Sequence, residues 1–287
     1  MTMPGYDLYH PDALTTSVVF ASPHSGRDYP DDFLRASVLD RRSIRSSEDA
    51  FVDILFRAAR DFGAPLLAAR VPRAYVDLNR GPDELDPAVI DGIRRPGHNP
   101  RIASGLGVIP RVVSNGRAIY RGKITLAEAR GRLASCWHPY HAALQQQLDA
   151  AHALFGEAIL IDCHSMPREA VDCVVRTGSR RPDVVIGDRF GSSASTCVID
   201  GVEAALRAAG LTVARNTPFA GAFVTQYYGR PSRRQHAIQV EIDRSLYMDE
   251  QRIEPRPDFA AFKELMTRVA AAIAEIGRAS AAPLAAE

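Results

Sequence analysis

An α/β fold with a mainly parallel sheet, covered by helices on both faces, is predicted by three observations. Short β-branched apolar runs end at Pro, Gly or Ser, as buried strands do where they meet a loop. These runs alternate with longer stretches of helical periodicity, the pattern of a sheet whose faces are both covered. Two of the runs, Ser17–Phe20 and Ala158–Ile161, lead directly to a histidine, His24 and His164. In open α/β sheets ligands bind beyond the carboxyl ends of the strands.

The elements follow in order. Residues 1–16 read as irregular and 17–21 as the first strand. Residues 49–62 read as a helix: Phe51, Ile54, Leu55 and Ala58 form its apolar stripe, and Gly63 suits its stop. Residues 64–69 form a strand and 74–78 a further extended segment. From Gly81 to Gly122 the chain is rich in Gly, Pro and Arg without clean periodicity, and reads as a long excursion over the sheet rim. Residues 125–155 are mostly helical, with a break expected at Pro139. Strands follow near 158–162, 172–176 and 183–186. A helix spans 195–209 and ends at Gly210; strands at 211–215 and 238–242 and a closing helix over 259–276 complete the set. The Ala-rich tail from 279 reads as frayed. No internal repeat, low-complexity segment or linker stands out, so 1–287 is expected to be one domain.

Composition excludes several classes. Of 287 residues, 46% are apolar and 24% charged, as in an ordinary globular protein. The formal net charge is +1, which gives no global case for nucleic acid or an anionic membrane. No apolar run approaches 18 residues, so no span is expected. Neither a signal peptide nor a C-x-x-C pair is evident, and a reduced cytoplasm is the expected location.

The two histidines at strand ends suggest a metal site. Catalytic zinc usually takes three protein ligands from His, Asp, Glu or Cys and keeps a position for water. A nearby acid should be the third, and Glu48 and Asp49 stand where the 49–62 helix is expected to begin. Taken singly, each histidine also fits a satisfied core position, and either acid fits a helix N-terminus. Asn79 and Arg80, with Arg73 and Asp77 in the same segment, can grip a carboxylate through the guanidinium fork; alone they also fit a surface turn. Glu241 lies inside the apolar run IQVEI, where a carboxylate is costly unless it is paired or hydrogen-bonded. It suits either a general base or an ion pair with an arginine such as Arg244.

Together the motifs resemble the N-formylglutamate amidohydrolase family. They are PHSG at 23–26, ED at 48–49 with VD at 52–53, PRAYVDLNR at 72–80, SGLGVIPR at 104–111, PYH at 139–141, DCHS at 162–165 and QVEIDRSLY at 239–247. The resemblance runs from about residue 15 to 275. It implies a three-layer αβα sandwich with a central mixed, mainly parallel sheet, similar to zinc carboxypeptidases and aspartoacylases.

The same resemblance implies a zinc enzyme, one ion per chain, that hydrolyses N-formyl-L-glutamate to formate and L-glutamate in histidine degradation. His24, His164 and Asp49 match the metal positions, Asp49 being favoured over Glu48. Glu241 matches the general base, Arg73 the oxyanion-stabilising arginine, and Asn79 and Arg80 the pair that holds a substrate carboxylate; Arg244 joins them as a substrate-binding candidate. One departure is plain: Ser25, Gly26 and Arg27 follow His24, so the H-x-x-E of carboxypeptidases is missing. The alternatives are an aspartoacylase-like deacylase of another N-acyl amino acid and a non-catalytic protein that holds a small acid.

Overall fold

The computed structural model describes residues 5–93, 99–172 and 180–279. Its main sheet has seven strands: β1 (Tyr6–Tyr9), β2 (Val18–Ser22), β3 (Leu66–Ala69), β4 (Ala158–Met166), β5 (Val184–Gly187), β6 (Val213–Arg215) and β7 (Gln235–Asp243), in the order β1-β3-β2-β4-β7-β5-β6. The pairs β2–β4, β4–β7 and β5–β6 are parallel and β5–β7 is antiparallel, so the sheet is mixed. The strands β8 (Met248–Asp249) and β9 (Glu254–Pro255) form a small antiparallel pair. The helices are α1 (Asp31–Ala36), α2 (Val52–Phe56), α3 (Pro100–Ala103), α4 (Leu126–Arg132), α5 (His138–Phe155), α6 (Thr196–Ala208), α7 (Phe223–Tyr228) and α8 (Phe259–Ala279).

Helices flank both faces of β7. His236 accepts the backbone N–H of Ser195, the residue that opens α6, while the adjacent Gln235 donates to the carbonyl of Tyr228 at the end of α7. Neighbouring residues in a strand point to opposite faces, so α6 and α7 lie on opposite sides.

Several expectations are corrected. Residues 6–9 are an edge strand, not irregular. The 49–62 helix starts only at Val52, because Phe51 takes a left-handed conformation (φ 68°), and it passes into a 3₁₀ turn over Arg57–Phe62. Asp49 therefore lies in the loop before the helix. The 74–78 segment is no strand; its amides at Tyr75 and Asp77 bond to the carbonyls of Pro72 and Val108. Pro139 breaks nothing. A π turn over Leu133–Trp137 joins α4 to α5, and its wider ring makes room beside a residue that has no N–H to give. The strand expected at 172–176 lies, beyond Asp172, outside the described residues.

Contacts group the chain into two compact units. The first comprises Met1–Asp7, Pro23–Ala50 and Ala68–Ala143. Phe33, Ile44, Ala74, Val113 and Ile119 form a core in it, with Tyr29, Tyr75 and Tyr120 packed around. Val108 and Ile109 are fully buried, so the 81–122 excursion supplies core as well as loop. The second unit comprises Leu8–Ser22, Phe51–Leu67 and Leu144–Glu287. Its core is the strands β2, β4, β5 and β7 with the apolar stripes of α6 (Val198, Ile199, Val202, Leu206) and α8 (Met266, Val269, Ile273).

Candidate metal centre

His24 sits two residues past the end of β2. Its loop turns tightly at Gly26, where a Cβ would come within 1.9 Å of the carbonyl oxygen of Val71, so only glycine fits the PHSG motif here. The imidazole is buried, and its Nε2 lies 2.7 Å from Oδ1 of Asp77. The other oxygen of Asp77 accepts from Nε of Arg73 at 2.9 Å. Burial opposes ionisation of Asp77, but Arg73, His24 and Arg80 outweigh it and hold the carboxyl well below the usual carboxylate range. With Nε2 of His24 held by a carboxylate, Nδ1 is the nitrogen that a metal would meet, the orientation that carboxylates give to ligating histidines. That Nδ1 faces Oδ2 of Asp49 at 3.5 Å, and the Asp49 amide donates to the carbonyl of His24.

Glu48 is engaged elsewhere. Arg45 donates to its two oxygens at 2.9 and 3.0 Å, and the hydroxyl of Tyr29 donates to Oε1 at 2.7 Å. Burial and the charge of Glu48 push the Tyr29 hydroxyl up, which keeps it a donor.

The segment with Asn79 and Arg80 is also buried. Oδ1 of Asp77 accepts the amide of Asn79, closing an Asx turn. Arg80 donates from Nε to the carbonyl of Leu106 and from Nη1 to the carbonyl of Asn79.

On the second unit, β4 carries Asp162 and His164 on one face, since they are two residues apart. Nε2 of His164 lies 3.0 Å from Oδ2 of Asp162, a carboxylate contact like that of His24. The register pairs His164 with Glu241 and Asp162 with Gln239 across β4 and β7, so the four polar side chains share one face of the sheet. Four buried polar groups side by side on central strands are unusual unless a site uses them. Gln239 donates to Oε1 of Glu241 at 2.9 Å. Arg244, just past β7, donates to Oγ of Ser165 at 3.1 Å and to its carbonyl at 3.4 Å.

Ala21 of β2 pairs with Asp162 of β4, so the chain running on to His24 starts beside the one running on to His164. His24, Asp49 and His164 are all buried and can each offer one ligand atom within 4.8 Å of the other two. This group could hold a metal ion. Two imidazoles and a carboxylate are the donors zinc takes, and the 3.5 Å between Nδ1 of His24 and Oδ2 of Asp49 is close to the roughly 3.3 Å between two ligands on a tetrahedral ion with bonds of about 2.0 Å.

Sequence reasoning gave no role to Asp77 or Asp162. Asp162 carried a signal: an acid two residues before a histidine in a strand shares its face. Nothing local marked Asp77 as the partner of His24.

Known proteins resemble this chain over most of its length. The N-formylglutamate amidohydrolase family model matches residues 16–248. The chain is 33% identical over 219 residues to an N-formylglutamate deformylase of Pseudomonas aeruginosa, covering 75% of this chain and 76% of that one. It is 29% identical over 236 residues to one of Pseudomonas putida, covering 81% and 82%. The crystal structure of N-formylglutamate amidohydrolase from Ralstonia eutropha JMP134 superposes with a TM-score of 0.89 at 36% identity, over 96% of this chain and 99% of that one. A gene product of Agrobacterium tumefaciens shares the fold, with a TM-score of 0.64 at 17% identity over 93% and 95% of the two chains. Among the described residues no helix is long and apolar enough to cross a membrane. The family model covers most of the sequence and the nearly full-length structural match carries the same name, so this chain belongs to the N-formylglutamate amidohydrolase family.

Proposed function

We propose that the chain hydrolyses N-formyl-L-glutamate to formate and L-glutamate, with one zinc ion held by His24, Asp49 and His164. The observation that carries this reading is the buried His-Asp-His group whose two histidines are each anchored through Nε2 by a carboxylate. When bound, zinc supplies Lewis acidity and a water whose pKa falls to near 7.

The chain's own residues do the rest. Glu241, level with His164 on the neighbouring strand, accepts a proton from the attacking water and returns it to the amine as the C–N bond breaks. Gln239 fixes the carboxylate of Glu241 for that transfer. Arg73, gripped at Nε by Asp77, is held in place to stabilise the oxyanion. Asn79, Arg80 and Arg244 orient the substrate carboxylates, and Arg80 is rigid because two backbone carbonyls already hold it. A small anionic N-acyl amino acid matches this arginine set.

Formate release across a panel of N-formyl and N-acetyl amino acids, on protein of measured zinc content, tests the reading. The expected result is the highest kcat/KM for N-formylglutamate. Faster release of acetate from an N-acetyl amino acid would make the protein an aspartoacylase-like deacylase. Tight binding without turnover in zinc-loaded protein would leave a small-acid-binding role.

A further inference from the structure

The helical stretch from α4 through the π turn to α5 holds the 75–80 segment by its backbone. Arg132 donates from Nη1 to the carbonyl of Tyr75 at 3.1 Å, Trp137 from Nε1 to the carbonyl of Arg80 at 2.9 Å, and His141 from Nε2 to the carbonyl of Leu78 at 2.9 Å. All three side chains are buried. The carbonyls they take bracket Asp77, Asn79 and Arg80.

The spacing makes this arrangement specific. In an unbroken α-helix, residues five apart lie roughly 140° apart around the axis. Arg132 and Trp137 are five apart, yet both reach the same short segment. The π turn over Leu133–Trp137, closed by the His138 amide bonding back to the carbonyl of Leu133, takes up the additional residue and returns the two to one face. Trp137 and His141, four apart, already share that face, with ring centroids 4.0 Å apart.

Two of the donors are set by their surroundings. Arg132 lies over the rings of Tyr75, Phe33 and Tyr120 at 4.2, 5.4 and 5.6 Å, and it donates to the Tyr120 hydroxyl at 2.6 Å. Burial holds the pKa of His141 down to about 4, so its ring is neutral and Nε2 carries the proton it donates.

We infer that Arg132, Trp137 and His141 are positioning residues for substrate recognition, brought into register by the π turn, which hold Asn79 and Arg80 in place through the main chain. The inference rests on the proposed assignment of Asn79 and Arg80 to the substrate carboxylates.

The test uses zinc-loaded protein and four variants. Trp137→Phe keeps an aromatic ring and removes one N–H; His141→Phe removes another; His141→Gln keeps an amide N–H for the carbonyl of Leu78. Arg80→Lys serves as the reference for lost substrate binding. Melting temperature and zinc content accompany KM and kcat for N-formylglutamate. The two Phe variants are expected to raise KM roughly fivefold, the effect of one neutral hydrogen bond, with kcat within about twofold and zinc unchanged. His141→Gln is expected to restore KM. If Arg80→Lys raises KM while both Phe variants only lower the melting temperature, the positioning role is overturned and the proposed function stands. If Arg80→Lys leaves KM unchanged, the substrate assignment fails and the positioning role fails with it.

Discussion

Oδ1 of Asp77 lies 2.7 Å from Nε2 of His24, across 53 residues of sequence. The carboxylate fixes which ring nitrogen is protonated and so which one points to Asp49. Asp77→Asn can turn its amide N–H toward Nε2 and favour the wrong tautomer, and it removes the charge that holds Arg73. Zinc affinity, measured by competition with a chelator, is expected to fall about 10- to 100-fold while the fold persists. Wild-type affinity in this variant would separate Asp77 from the metal role proposed for His24.

The ligand set is tested by removing its members one at a time. His24→Ala, His164→Ala and Asp49→Ala each leave two protein ligands, too few to retain zinc firmly. Glu48→Ala is expected to keep zinc and lose stability instead, since it leaves Arg45 and the Tyr29 hydroxyl without their buried acceptor. Elemental analysis of the four variants decides between the neighbouring acids; zinc lost from Glu48→Ala and kept by Asp49→Ala would reverse the assignment.

Glu241→Gln retains size and can still hydrogen-bond to Gln239, but it cannot accept a proton. A drop in kcat of roughly 10²–10⁴ with zinc and melting temperature preserved is expected of a general base. Single-turnover rates beside thermal melts provide the check. A variant that melts early yet keeps its rate per folded molecule would make Glu241 structural.

Acid sensitivity should trace in part to His141. A histidine in the unfolded chain takes its proton near pH 6.5, whereas the buried ring resists until about 4. Between these values the unfolded chain binds more protons, so the contribution is complete above about pH 6.5 and is lost as pH falls toward 4. Its full size is on the order of 3 kcal/mol. Urea unfolding of wild type and His141→Gln at several pH values should show a shallower loss in the variant across that window. Parallel curves would assign the acid sensitivity to other groups.

Where the sequence was legible, periodicity carried it. The apolar runs at 17–21, 64–69, 158–162, 183–186 and 238–242 all became strands of the main sheet, because a strand buried on both faces has little freedom in composition. His24 and His164 were legible because each follows such a run. What escaped were features made by a single residue's conformation or by distant contact. Phe51 in the left-handed region delays the start of α2, and no local pattern announces it. Pro139 looked like a break because the wider turn before it leaves no mark in the apolar pattern. The strap at 74–78 has the composition of a strand, but its carbonyls go to side chains of Arg132 and His141, partners more than 50 residues away.

The strand order also sets a timetable for synthesis. Val18 of β2 pairs with Ile159 of β4, and Ala158 of β4 in turn with Gln235 of β7. At about 5–20 residues per second, β2 waits roughly 7 to 28 s on the ribosome before β4 is made. During that interval the edge of β2 destined for β4 is unpaired, and such an edge is open to pairing with another chain. His164 is made after the same delay, so the His24, Asp49 and His164 group is complete only once β4 has been made. The unpaired edge of β2 is thus the surface that a chaperone acting during translation is expected to cover.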